Sequence, residues 1–252
     1  AYAWLCDVAQ AQLCRHTWLV LGDGATFSDL KTSVDGNIAV GPGAQLDFTN
    51  GATFDGEILV DDSATVTGVT GGTVGDLDND ATTAIGLNAS GIALDPTQTF
   101  GSITGASTIT ASAEDGIDVV SIDRLVLKNP GDVLTISGDA DDFMIINIGS
   151  RIDLSGQSEL ILDGIPPQNI IINVNIGAFT RLAGQSLVIG PTVLAPMTEV
   201  ELGGLTQLTG HLISGGVKGD ASAIEDSRLH GNGAISNSTA LGCSESQFYD
   251  NL

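Results

Sequence analysis

A short pattern, Val34-Asp35-Gly36-Asn37-Ile38-Ala39-Val40, returns twenty positions later as Phe54-Asp55-Gly56-Glu57-Ile58-Leu59-Val60. Further on, Leu154-Ser155-Gly156-Gln157-Ser158, followed by Leu160 and Leu162, returns twenty-eight positions later as Leu182-Ala183-Gly184-Gln185-Ser186 followed by Val188. Repeats of this length are units that cannot bury an apolar face alone and must stack on their neighbours. Within each unit the apolar residues alternate, as in Gln45-Leu46-Asp47-Phe48 and Ala64-Thr65-Val66-Thr67, which is the period of a strand. Gly, Asn and Asp punctuate the runs, and these residues turn corners because they tolerate positive φ or bond their own backbone. The unequal spacing predicts an all-β solenoid, an imperfect β-helix; the strand pattern alone leaves a β-sandwich open.

After Ser121 the runs lengthen: Arg124–Leu127, Val133–Ile136, Phe143–Ile148 and Asn169–Val174. Near-continuous apolar strands are buried on both faces, so the core is expected here. Asn147, Asn173 and Asn175 are candidates for an internal amide ladder. One segment breaks the β pattern. From Leu77 to Leu94 apolar residues recur at spacings of three and four, which predicts an accessory helix with Asp78 or Asp80 as N-cap. Gly86 and Gly91 weaken it. Trp4 to Gln12 has helical spacing as well.

Charge narrows the function. The 252 residues carry 8 Lys and Arg against 31 Asp and Glu, a net charge of −23. A charge this negative rules out a general nucleic-acid binder, since the chain as a whole cannot neutralise a phosphate backbone, and no nucleic-acid partner is expected. With 42% hydrophobic residues it is nonetheless able to bury a core, built from Ile, Leu, Val and Ala because aromatics are only 4%. No apolar run is long enough for a membrane helix. Ala1-Tyr2-Ala3 has the small-x-small shape left around a signal-peptidase cut, which predicts a mature secreted chain. No linker divides the sequence. It reads as a single domain over 1–252, with an N-terminal segment 1–19, a solenoid 20–231 and a tail 232–252. In an oxidising compartment Cys6, Cys14 and Cys243 allow one intrachain bridge and leave one odd thiol, the connectivity staying open between Cys6 or Cys14 with Cys243 and a local Cys6–Cys14 pair.

Catalytic chemistry finds little footing. The sequence has no Gly-x-Ser-x-Gly elbow, no His-Glu-x-x-His and no phosphate-binding glycine loop, and only His16, His211 and His230 as neutral-pH bases. The expectation is that this is not an enzyme. Asp76, Asp78 and Asp80 alternate as at the start of a calcium loop, though Ala81 stands where such a loop needs Gly and Leu87 where it needs Glu, so an EF-hand is out. An irregular calcium site and a solvated acidic turn both remain open. Asp139, Asp141 and Asp142 form a second turn with the same two readings. Thr65-Val66-Thr67, Thr97-Gln98-Thr99 and Thr108-Ile109-Thr110 are the material for a flat threonine face, but they share no common spacing.

Several short motifs, in order, resemble the choice-of-anchor A domain of secreted bacterial surface proteins. They are Val20-Leu21-Gly22-Asp23, Gly36-Asn37-Ile38-Ala39-Val40-Gly41, Val193-Leu194-Ala195-Pro196 with Gly190, and Gly210-His211-Leu212-Ile213. Leu229-His230 resembles the closing motif, with Arg228 where that family has Glu, and Pro42 interrupts its Gly-Gly. The resemblance spans about residues 17–231. It implies a right-handed β-helix with a helix packed alongside, related in architecture to bacterial ice-binding proteins, and a surface role with no catalytic residues to carry over. The resulting expectation is a secreted, non-catalytic structural or adhesive protein that self-assembles into a surface filament or layer, docking through Trp4, Leu5 and Trp18. The alternatives are a monomeric adhesin for a glycan or host-surface ligand, and an ice-binding protein.

Overall fold

The computed structural model describes Leu13, His16 and residues 18–21, 26–27, 33–47, 53–68, 72–112, 117–183, 186–198, 200–202, 207–215 and 234–236. Its strands, in chain order, begin with β1 (Trp18–Leu21), β2 (Thr26–Phe27), β3 (Ser33–Asp35), β4 (Ile38–Val40), β5 (Gln45–Asp47), β6 (Thr53–Asp55), β7 (Ile58–Asp61), β8 (Thr65–Thr67) and β9 (Thr73–Gly75). Helix α1 (Asp78–Ile92) follows, then β10 (Gln98–Thr104), β11 (Ser107–Thr110), β12 (Ile117–Leu127), β13 (Val133–Ser137), β14 (Phe143–Leu154), β15 (Glu159–Asp163) and β16 (Ile170–Val174). The last are β17 (Phe179–Leu182), β18 (Leu187–Ile189), β19 (Thr192–Ala195), β20 (Val200–Leu202), β21 (Gln207–Thr209), β22 (Leu212–Gly215) and β23 (Ala234–Ser236). Their ladders are parallel.

The strands form the three faces of a right-handed β-helix. The first face runs β10-β12-β14-β16-β19-β22-β1-β4-β7-β9 and the second β11-β13-β15-β18-β21-β23-β3-β6. The third carries β2-β5-β8 at one end, with β17 and β20 joined to the second half of β14 further along. Chain order and stacking order differ at one place. The last strands of the coil, β22 and β23, are followed in space by the first, β1 and β3. The four segments that carry the surface-domain resemblance fall on β19, β22, β1 and β4, which are consecutive rungs of the first face.

The sequence repeats are the register of this coil. Val34 pairs with Phe54 and Ile38 with Ile58, the shorter interval; Leu154 pairs with Leu182 and Leu160 with Val188, the longer one. Inward residues of the first face therefore stack in one column, Val120, Ile146, Ile172, Val193, Leu212, Trp18, Ile38 and Ile58, each no more than 5% exposed. Rungs lie about 4.8 Å apart, so each side chain seals the one below it, and full burial of an aliphatic stabilises by about 1.5–3 kcal/mol. Asp-Gly recurs at one corner for a steric reason: a Cβ on Gly56 would stand 2.4 Å from the Gly36 carbonyl oxygen.

Two expected strands are longer than their apolar cores. β12 and β14 run on round a corner onto the third face, with a register shift between Ile122 and Arg124. The helix is present but starts differently. Leu77, not an aspartate, occupies the N-cap position, and its backbone N–H donates to Asp61 Oδ2 at 3.0 Å. Asp78 and Asp80 lie in the first turn. The helix rests on the outward side of the first face, where Leu77 and Ala84 pack with Leu19, Leu21, Ala39, Ile171, Leu194 and Ile213. This is why β16 is buried on both sides. No helix among the described residues is long and apolar enough to cross a membrane.

Candidate functional site

Each face of the solenoid offers a different surface. The first is closed by α1, and its polar groups are spent on holding the helix. Asn88, on the helix, donates to Asn173 Oδ1 and to the Val174 carbonyl at 2.9 Å. Asn173 donates to the Asn88 carbonyl at 3.0 Å and to Asn147 Oδ1 at 2.8 Å, and Asn147 donates to the Gly91 carbonyl at 2.8 Å. An amide ladder of Asn147 and Asn173 is thus present, but it lies between sheet and helix rather than inside the coil. Asn175 does not join it, its side-chain oxygen accepting from the Ile176 N–H at 2.9 Å.

At the other end of α1, His16 Nε2 donates to Asp80 Oδ2 at 2.8 Å, both residues being buried. His211 Nδ1 donates to the His16 carbonyl at 2.7 Å. Burial pushes the His211 pKa below the usual value, partly opposed by that bond and reinforced by the nearby His16. The three groups clamp the start of the chain to helix and sheet.

Asp80 is therefore committed to His16 and points away from the acidic turn. Its place is taken by Asp61: carboxylate oxygens of Asp61, Asp76 and Asp78 lie within 4.8 Å of one another. These three are the residues able to hold a hard cation here. Asp61 already accepts from Ser63 Oγ at 2.6 Å, Ser63 N at 3.0 Å and Leu77 N at 3.0 Å. Burial opposes its ionisation, yet these donors outweigh burial and hold its carboxyl below the usual range. Asp76 and Asp78 are exposed beside it, Asp76 Oδ1 accepting from the Asp78 N–H at 3.0 Å. The Asp139–Asp142 turn closes itself in the same way, Asp142 Oδ2 accepting from the Asp139 N–H at 2.7 Å.

The second face carries stacked hydroxyls. Outward residues Thr108 and Thr110 of β11 stand in register with Thr135 and Ser137 of β13, giving two columns of hydroxyls on two rungs. Thr108 and Thr110 are exposed, while Thr135 and Ser137 are half-buried. The next rung brings Ile161 and Asp163 into those columns. The other threonine triplets do not extend the array. Thr97 Oγ1 donates to buried Asp118 at 3.0 Å and Gln98 Nε2 to the same carboxylate at 3.2 Å, so they brace a corner. Thr65 and Thr67 are exposed at the far end of the third face, in register with Gln45 and Asp47.

Along β12, β14, β17 and β20 the third face is charged. Asp153 is fully buried yet outward, held by Arg151 Nη2 at 2.5 Å and Lys128 Nζ at 2.9 Å. Burial penalises its charge, but these cations outweigh that and keep the carboxyl ionised below the usual range. Arg151 lies 4.5 Å over the Phe179 ring, and Arg181 Nε is 3.3 Å from Glu201.

Trp18, expected at a docking surface, is 0% exposed in the core, because β1 is an interior strand of the first face and this position faces inward. Trp4, Leu5, Cys6, Cys14, Cys243, Arg228 and His230 lie outside the described residues. What sequence reasoning missed is the polar half of the helix seam. Asp80 and Asn88 share a face with Leu77, Ala84 and Gly91, and that spacing was the available signal.

Several solved structures share this architecture. An ice-binding protein from an Arctic yeast aligns over 90% of this chain and 92% of its own, at 13% identity and a TM-score of 0.59. One from the Antarctic ascomycete Antarctomyces psychrotrophicus covers 92% and 97% at 15% identity and 0.54. The DUF3494 domain of Shewanella frigidimarina ice-binding protein 1 covers 91% and 96% at 16% identity and 0.52. These likenesses establish a shared fold. No family model and no curated protein matches the sequence.

Proposed function

We propose that this protein is a non-catalytic, extracellular β-helix that binds an extended surface, ice before others, through the outward face of β11 and β13. The observation that carries this reading is the in-register hydroxyl array of Thr108, Thr135, Thr110 and Ser137. Adjacent rungs set one repeat at about 4.8 Å and alternate residues on a strand set the other at about 6.6–6.8 Å. A periodic solid is recognised by periodic, rigid groups, since fixed strands lose little entropy on binding. The other faces serve this less well: α1 covers much of one, and ion pairs cross another. The ice-binding proteins of similar fold support the same choice.

Ice-crystal habit, thermal hysteresis and recrystallisation inhibition test it. The protein should shape ice and slow recrystallisation, and Thr135→Tyr should abolish both, because a ring standing off the sheet breaks contact without touching the core. Ice grown unaltered by the unmodified protein overturns the reading.

A second reading is a self-associating surface protein of the choice-of-anchor A kind. It is supported by the resemblance segments occupying four consecutive rungs. Sedimentation over a wide concentration range separates the two: assembly predicts growing species, surface binding a constant monomer.

A further inference from the structure

Half of the chain's cations stand together. Of 8 Lys and Arg residues in a molecule of net charge −23, Arg124, Lys128, Arg151 and Arg181 all sit on the third face, on β12, just after it, on β14 and on β17. Arg124 is in register with Arg151, and Arg151 with Phe179; in the next outward column Asp153 is in register with Arg181. The column therefore advances by one rung, about 4.8 Å, per residue along the coil axis. Two acids stand among them: Asp153, buried and neutralised by Lys128 and Arg151, and half-buried Glu201, 3.3 Å from Arg181, so four cations face two carboxylates. Arg124 is exposed and has no ion-pair partner among the described residues. Beside the cations lies an exposed large apolar side chain, Phe179, 44% exposed and in register with Arg151.

We infer that this stripe is a binding site for an acidic polysaccharide, a linear polymer of uronate or sulfated sugars, distinct from the hydroxyl face. Guanidinium groups meet carboxylates and sulfates through paired N–H donors, and Arg is suited to this by its planar fork. Phe179 already carries a guanidinium against one side of its ring, and its exposed surface supplies an apolar plane for the C–H face of a sugar. A polymer presents both chemistries at intervals along a line, as the stripe does. The overall negative charge does not forbid this, because charges beyond about 8 Å are largely screened at physiological salt.

Affinity electrophoresis and titration calorimetry of the full chain test the assignment, with polygalacturonate and chondroitin sulfate as probes, dextran as the neutral control and EDTA present to remove cation bridges. At least one acidic polymer should retard the protein at about 50 mM salt and lose its hold near 200 mM, while dextran leaves it unretarded. The variants Arg124→Gln and Arg181→Gln avoid the buried Asp153 clamp. Combined, they should weaken binding by about tenfold with an unchanged melting temperature, and Phe179→Ala should weaken it without altering the salt dependence. The inference is overturned by absence of retardation with both acidic polymers, by retardation that the double variant leaves intact, or by sedimentation showing that the double variant dissolves a dimer, which would make the stripe a contact for a second copy. Ice activity is read separately, so the two sites fail independently.

Discussion

The indole Nε1 of Trp18 donates a 3.1 Å hydrogen bond to the hydroxyl of Ser214, 196 positions later in the chain, inside the coil. Leu212 is the register partner of Trp18, and Ser214 that of Val20, so the bond reaches diagonally across the joint between last and first rungs. At that joint the solenoid is closed by tertiary contact instead of chain continuity. Ser214→Ala should therefore strand a buried N–H and cost about 1–3 kcal/mol. Urea unfolding measures it. Trp18→Phe made on top of Ser214→Ala should cost less than Trp18→Phe in the native protein, and equal costs would show that the bond contributes nothing.

Two glycines of α1 make opposite predictions. Nothing stands within 4 Å of a Cβ built on Gly86, whereas one on Gly91 would sit 2.8 Å from Asn173 Nδ2. Gly86→Ala should stabilise the protein by about 1 kcal/mol, the helix-propensity difference. Gly91→Ala should destabilise it despite the same gain, because the helix must lift off the amide ladder. Thermal melts of both variants decide the matter, and stabilisation by both would mean that the helix is loosely seated.

Much of the coil was legible because stacking writes itself into sequence. The interval from Ile38 to Ile58 is the length of one rung, and the longer interval from Leu154 to Leu182 carries the same message for a larger one. The joint was not legible. Nothing in Trp18-Leu19-Val20-Leu21 says that its neighbour is Leu212 rather than the next strand in the chain, since parallel pairing needs only an apolar strand of matching length. The acidic turn was half legible. Alternation brought Asp76 and Asp78 together, but in a helix Asp80 faces the sheet with Ala84, and Asp61 enters from a preceding rung at a distance that local spacing cannot encode. The hydroxyl array was written there but easily passed over: Thr108-Ile109-Thr110 recurs as Thr135-Ile136-Ser137 twenty-seven positions later, a three-residue match with Ser in place of one Thr, and only the register shows that the two stack.

Stability should depend on pH through His211. Burial lowers its pKa in the folded state below the usual value of 6.5, so the unfolded chain binds the proton more readily. Stability is then greatest above about 6.5 and falls as pH drops through that value toward the lower folded pKa. The depressed carboxyls of Asp61 and Asp153 add a second loss below about pH 4, since their contribution is present above the unfolded value and vanishes as they protonate. Urea midpoints from about pH 7.5 to 5.5 should decline in the native protein and decline less in His211→Gln. An identical slope in the variant would assign the effect elsewhere.

Asn173 should prove the most expensive polar residue to remove. It accepts from Asn88 and donates to both the Asn88 carbonyl and Asn147 Oδ1, so it ties the helix to the sheet in both directions. Asn173→Ala takes away all three bonds and opens a void beneath Gly91, leaving a buried helix carbonyl with one partner fewer. Asn88 Nδ2 keeps the Val174 carbonyl, so the expected cost is that of under-satisfied buried groups and the void together, about 1–3 kcal/mol. Asn147→Ala loses only the bond to the Gly91 carbonyl and the end of the ladder, at a half-buried site that water can reach, so about 1 kcal/mol is expected. Amide hydrogen exchange localises the damage. In Asn173→Ala the protection of Ala89 to Ile92 should drop well before that of Val120 or Ile146 in the core, because the seam opens while the coil stays stacked. If protection fell equally along the chain, the ladder would be part of the global folding unit and not a latch for the helix.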